Sequence, residues 1–235
     1  MITRIKHNIK FMKYYILRKL SPIRLKELKE LNYWKEREEE EKILSNKHFE
    51  HFYTTHFGLS PSYYQSKVIL DIGCGPRGSL EWASMASRRI GLDPLAKQYL
   101  RLGAKHHRME YIDAYSEQIP LKDAECDAVF SFNSLDHVED VHQTLREIKR
   151  ITRPGGIFLL IVEVNHLPTD CEPHRLTPNE LIDFLMPEFD CEDIKVYKPV
   201  AHGIYASILS DKKFPNPKDT SEIGYFSAKF MRTAS

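Results

Sequence analysis

The 235-residue chain predicts an α/β fold: a mostly parallel sheet with helices on both faces and an antiparallel last strand pair. Three observations carry that prediction. From residue 67 onward, strand-like and helix-like stretches alternate, the pattern that builds parallel sheets through crossover helices. Val68-Ile69-Leu70-Asp71-Ile72 runs directly into Gly73-Cys74-Gly75-Pro76-Arg77-Gly78, a strand ending in a glycine-rich turn. Ile157 to Val164 is apolar almost throughout, as befits a strand covered on both faces.

Taken in order, residues 1–60 form an N-terminal helical extension. Eight basic residues, Arg4 to Lys26, precede the first acid, Glu27, and Ile5, Ile9, Met12, Ile16 and Leu20 recur at mostly helical spacing. Such a helix either packs with its charges in water or makes peripheral contact with an anionic membrane surface. Ser21-Pro22 breaks it and starts another helix. Leu28 to Phe57 is helical again; Glu38 to Glu41 reads as a solvated face, and Tyr33 and Trp34 either pack or form a lid over a ligand site.

The main domain spans 61–213. Its strands are expected at Lys67–Ile72, Arg89–Asp93, Met109–Ile112, Ala128–Phe132 and Ile157–Val164. Helices are expected at Leu80–Arg88, Pro94–Leu102 and Val141–Thr152, with a turn at Arg153-Pro154-Gly155-Gly156. Thr177-x-x-Glu180 is a capping box opening a helix to Leu185. Asp193–Pro199 and Ile204–Ser210 are read as the antiparallel pair that brings the strand count to seven. Residues 214–235, with prolines and polar residues, read as a C-terminal tail.

Composition excludes several classes. A formal net charge of +1 provides no field for nucleic acid, so none is expected as partner. Cys74, Cys126, Cys171 and Cys191 are scattered without a C-x-x-C pair, which suits a reducing, cytoplasmic setting and no zinc site. No apolar run reaches the length of a membrane span.

The strand ends carry the chemistry. Asp71 lies two residues before Gly73, where a pyrophosphate would be repelled and a ligand bearing an ammonium and a sulfonium attracted. Asp93 ends the second strand, 22 residues after Asp71, and an acid there can accept both ribose hydroxyls of a nucleoside. Ser116 to Leu121 follows the third strand, and Asn133-Ser134-Leu135-Asp136-His137-Val138 the fourth. With Gly91-Leu92-Asp93-Pro94, Cys126 to Val129 and Leu145 to Gly156, these segments in this order resemble the class I S-adenosylmethionine-dependent methyltransferases. The resemblance covers 67–165 and implies a Rossmann-like seven-stranded sheet. It also implies S-adenosyl-L-methionine as cofactor. Asp71, Gly73, Cys74 and Gly75 would hold its methionine part, Asp93 its ribose, Leu92 or Pro94 its adenine face, Ser116 and Glu117 the adenine edge, and Asn133 its ammonium. The family often has an acid just before that small residue; here Tyr115 stands there, and either Asp113, two places earlier, serves through a remodelled loop or a backbone amide does the reading.

Methyl transfer from a sulfonium needs alignment and, for a hydroxyl acceptor, a base. His137 with Asp136 beside it is the first candidate, then His166 beyond the fifth strand. His174 falls in the loop expected to cover the acceptor. A divalent metal on Asp136, Glu163 and His166 has only generic spacing, and no metal is expected. The fourth strand end lacks the proline-rich motif of adenine and cytosine N-methylators, which leaves a small-molecule, sugar or lipid-linked acceptor. A nicotinamide-dependent oxidoreductase using the same glycine loop, and a non-catalytic binding module, are the competing readings.

Overall fold

The computed structural model describes residues 22–46, 49–218 and 221–234. The basic segment 1–21, and with it the expected membrane contact, lies outside the described residues. The chain divides into two compact units, Met1–Ile43 and Leu44–Ser235.

In the first unit, helix α1 spans Pro22–Glu41 and opens on its proline, whose missing N–H costs nothing in a first turn. Tyr33 and Trp34 meet edge-on, ring centroids 5.1 Å apart. The helical run expected to reach Phe57 stops at Glu41, where Lys42 turns to φ +66°. A short helix α2, Glu50–Tyr53, and a 3₁₀ turn, Thr55–Phe57, follow in the second unit. The boundary therefore falls at 44, not 60.

The second unit is one seven-stranded sheet in the order β3-β2-β1-β4-β5-β7-β6. Its strands are β1 Val68–Ile72, β2 Arg88–Leu92, β3 Glu110–Ile112, β4 Cys126–Phe132, β5 Thr152–Val164, β6 Phe189–Tyr197 and β7 Gly224–Arg232. The first five pair in parallel, and β7 runs antiparallel to both β5 and β6.

Strand periodicity divides the core in two. Leu70, Val129, Phe158, Leu160 and Val162 point to one face, where helix α4, Val141–Ile151, and helix α5, Pro178–Leu185, cover them. Ile69, Ala128, Phe130, Leu159 and Ile161 point to the other, under an aromatic layer that includes Phe52, Tyr53, Phe57, Tyr64 and Trp82. Phe130 is fully buried there, with Tyr53 edge-on at 5.1 Å.

Several expectations change. Residues 79–87 form no regular helix. Glu81 instead turns its carboxylate to the amides of Arg108 and Met109, at 2.8 and 3.0 Å, which ties this loop to the approach to β3. The helix expected from Pro94 is the shorter α3, Ala96–Arg101. The Arg153–Gly156 turn is absorbed into the irregular start of β5, where the register with β4 shifts between Cys126 and Ala128. Ile204–Ser210 is not a strand: Gly203–Leu209 is helix α6, burying Ile204, Ser207 and Ile208 at helical spacing. The partner of β6 is β7, so 214–235 is no tail. Phe226, Ala228 and Phe230 alternate into the core from the middle of the sheet. Thr177 caps the helix as expected, the Glu180 amide donating to its hydroxyl, but that hydroxyl donates to the Glu180 carboxylate in place of the backbone bond of a full capping box.

Candidate functional site

Parallel pairing brings the carboxyl ends of β1, β2 and β4 side by side, with Ile72 opposite Leu92 on one flank and Ser131 on the other. The turn after β1 is held from both sides. The Gly73 amide donates to the Leu92 carbonyl at 2.8 Å, and the Ser134 hydroxyl donates to the Ile72 carbonyl at 2.8 Å. Gly73 sits at φ +69°, and a β-carbon there would lie 2.3 Å from that of Ser134. The glycine is thus required by the neighbouring strand end, whereas the sequence suggested close approach of a ligand. Cys74 is a buried filler: its sulfur packs against Gly91, where a β-carbon would come within 2.6 Å of it.

Asp71 is buried at the end of β1. The Tyr53 hydroxyl donates to its Oδ2 at 3.1 Å, and no lysine or arginine among the described residues pairs with it. Burial drives its pKa up to about 7, opposed only by the side chains of Ser79 and Tyr53. Around it stand aromatic rings. Tyr53 packs against Trp82 at 5.6 Å and Phe132 at 4.6 Å; Tyr205 of α6 stacks on Phe49 at 4.6 Å and senses the Asp71 charge. None of Tyr53, Trp82 and Tyr205 was singled out from sequence. The signal available was the density of aromatics at 49–64, which reads equally well as core.

Asp93, also buried, accepts from the Gly75 amide at 3.2 Å and from the Leu95 amide at 2.9 Å. One carboxylate therefore joins the glycine loop to the turn entering α3, and Pro94 lies half-buried in that turn.

The expected adenine-edge residues are more occupied. Ser116 Oγ lies 2.8 Å from Thr144 Oγ1. Glu117 Oε1 accepts from the amides of Glu139 and Asp140, which fixes the entry to α4. Asp113 pairs with Lys97 at 2.7 Å. Asn133 is exposed at φ +53°, its amide donating to the Ile161 carbonyl at 2.7 Å.

Beyond β4 and β5 lies a second cluster. Asp136 is 1% exposed, and its Oδ1 has no hydrogen-bond partner. His137 Nε2 lies 3.9 Å from that atom and 3.7 Å from Glu172 Oε1. His166 is buried with Nδ1 2.9 Å from the Leu167 carbonyl and Nε2 without a partner. Burial pushes the Asp136 and Glu163 carboxyls up; His137 then pulls Asp136 down, and His166 does the same to Glu163. His174 Nε2 is 2.9 Å from the Val138 carbonyl, so the 165–176 loop is tied to the turn after β4. The three residues chosen as catalytic from sequence thus fall together. Glu172 was missed; only its place two residues before His174 hinted at it.

A carboxylate at the end of β1, a second at the end of β2 and a glycine turn between them are the arrangement expected of a nucleoside-cofactor domain. Residues 70–160 match the family model described as a methyltransferase domain, and the sheet has the fold of the class I S-adenosylmethionine-dependent methyltransferases. A probable S-adenosylmethionine-dependent methyltransferase from Mycolicibacterium smegmatis is 34% identical over 93 residues, 39% of this chain and 36% of that protein. A malonyl-[acyl-carrier protein] O-methyltransferase from Serratia marcescens is 36% identical over 103 residues, 42% of this chain and 39% of that protein. The chain thus spans well under half the length of these curated relatives. Among solved structures, the YcgJ protein of Bacillus subtilis matches with TM-score 0.59 and 14% identity, over 77% of this chain and 99% of that one. A geranyl diphosphate C-methyltransferase from Streptomyces coelicolor, solved with Mg²⁺, geranyl diphosphate and S-adenosyl-L-homocysteine, matches with TM-score 0.53 and 17% identity, over 76% of each chain. Those two likenesses are of fold. Among the described residues no helix is long and apolar enough to cross a membrane.

Proposed function

We propose that this chain transfers a methyl group from S-adenosyl-L-methionine to an oxygen of a small-molecule, sugar or lipid-linked acceptor. The observation that carries the reading is Asp71, a buried carboxylate with no cation beside it among the described residues and aromatic rings around it. Such a group is costly unless a ligand supplies the positive charge, and aromatic faces favour a cationic ligand as well. S-adenosyl-L-methionine carries an ammonium and supplies an electrophilic methyl group on sulfur. Asp71 would take the ammonium, with the Asn133 backbone beside it. Asp93, held in place by the Gly75 and Leu95 amides, would take the ribose hydroxyls. Ser116 and Glu117 would act through the loop they hold rather than through free side chains.

The acceptor belongs at the β4–β5 edge. There His137, its Nε2 3.9 Å from Asp136 Oδ1 and 3.7 Å from Glu172 Oε1, would take the proton of a hydroxyl. His166 is the second choice. The malonyl-[acyl-carrier protein] O-methyltransferase relatives support oxygen as the methylated atom. The direct test is calorimetric binding of S-adenosylhomocysteine, abolished in Asp93→Ala, followed by labelled-methyl transfer against a metabolite and lipid extract. No binding by the unaltered protein refutes the reading.

A further inference from the structure

The cluster beyond β4 and β5 holds more than a general base requires. One ligand atom each from Asp136, His137 and Glu172 fall within 4.8 Å of one another. The two separations from His137 Nε2, 3.9 and 3.7 Å, are too long for hydrogen bonds. They are close to the edges of a metal polyhedron: nitrogen and oxygen ligands about 2.0–2.2 Å from an ion stand roughly 3.0–3.6 Å apart. A second observation points the same way. Asp136 Oδ1 is buried, without a hydrogen bond, and faces this triangle. His166 adds to it: with Nδ1–H donating to the Leu167 carbonyl, its lone pair is on Nε2, which is buried and unpartnered. A ligating histidine usually has that arrangement, its other ring nitrogen held by a carbonyl. His166 is close enough for its charge to act on both Asp136 and Glu163.

We propose that Asp136, His137 and Glu172 form a site for one divalent transition-metal ion, with His166 available as a further ligand. Mixed carboxylate and imidazole donors suit Mn²⁺, Fe²⁺ or Zn²⁺ better than Mg²⁺ or Ca²⁺, which prefer all-oxygen shells. What the ion does rests on the methyl-transfer reading. Its open positions would take an acceptor oxygen, whose hydroxyl would lose its proton to solvent more readily on the cation. The oxygen lone pair then forms the new bond to the methyl carbon, the carbon–sulfur bond breaks, and its electron pair stays on sulfur. With the ion bound, His137 is a ligand and the proton leaves to solvent; the role of base proposed above belongs to the metal-free protein.

The test uses the full chain, stripped with a chelator and dialysed. It is titrated separately with MnCl₂, ZnCl₂ and MgCl₂ by calorimetry, and metal content is measured by plasma mass spectrometry. One equivalent of Mn²⁺ or Zn²⁺ is expected, with Mg²⁺ weaker. Asp136→Asn and Glu172→Gln should each weaken binding at least about tenfold, while His106→Gln, at the β3 side of the sheet, should not. Glu172 is part-exposed, so its variant keeps the test valid if Asp136→Asn misfolds. Substoichiometric binding, or equal affinity in the Glu172→Gln variant, overturns the site. S-adenosylhomocysteine binding, measured in parallel, separates the two readings. Its absence sinks the methyl-transfer reading, while its presence without metal binding sinks the metal site alone.

Discussion

Replacing Asp71 by asparagine should stabilise the cofactor-free protein while destroying cofactor binding. The carboxyl is raised from 3.8 to about 7 by burial. That is about three pK units, worth about 4 kcal/mol at 1.36 kcal/mol each. The sign follows from the direction of the shift. The folded state holds the proton more tightly than the unfolded chain does, so the cost is absent below pH 4. It grows as pH rises from about 4 to about 7 and is constant above. Asparagine is neutral at every pH and keeps an acceptor for the Tyr53 hydroxyl. At pH 8 the variant should therefore be more stable by about 4 kcal/mol, and at pH 5 by less than about 2 kcal/mol. For a chain of this size that corresponds to a melting temperature higher by about 10 °C at pH 8. Differential scanning calorimetry of both proteins, without ligand, at pH 5 and pH 8 measures it. An Asp71→Asn variant that melts no higher than the unaltered protein at pH 8, or a gap that does not shrink at pH 5, refutes the assignment of Asp71 as an uncompensated buried acid.

Other outcomes follow from the same geometry. S-adenosylhomocysteine affinity should increase as pH rises through about 7, because the ammonium requires the ionised Asp71; an affinity flat from pH 5.5 to 8.5 contradicts this. Tyr53→Phe removes the hydrogen bond that opposes the shift, and should move that increase upward by about one pH unit in a calorimetric series. Gly73→Ala should destabilise by about 2–4 kcal/mol through left-handed strain and collision with Ser134, read from urea midpoints. His137→Gln should lower the transfer rate about 100-fold or more and leave S-adenosylhomocysteine affinity within about threefold.

Much of the frame could be read from residues alone, for identifiable reasons. Strands β1 and β4 and residues 157–164 of β5 are covered on both faces and therefore mostly apolar, which makes them legible without knowing their partners. Helix α4 was legible over Val141–Thr152 in the same way, and the structure adds its cap, the Gln143 amide donating to Asp140 Oδ1 at 2.8 Å. What failed depended on distant contacts. Residues 79–87 have helical composition, but Glu81 finds better partners in two amides 27 and 28 positions away. Ile204 and Ile208 suggested a strand by β-branching, although their spacing of four places them on one helix face. Strand β7 shows clear alternation at Phe226, Ala228 and Phe230, but Lys229, Arg232 and the preceding prolines obscured it. In the site, Asp71, Asp93 and Asp136 were legible because an acid at a strand end is conspicuous. Tyr53, Tyr205 and Glu172 were not, since they reach it from separate segments.

The position of β7 also governs how the protein is made. The strand nearest the carboxyl end of this chain is not at the rim of the sheet but between β5 and β6. While residues 224–232 are still being synthesised, β5 presents the apolar edge Ile157–Val164 with no partner on that side, and β6 has none at all. An uncovered apolar edge of this kind is a template for intermolecular pairing. A ribosome stalled before Gly224 would release an aggregation-prone chain, although every residue named at the β1, β2 and β4 ends would already be in it. Quality control of this protein therefore depends on a strand far from the chemistry it carries.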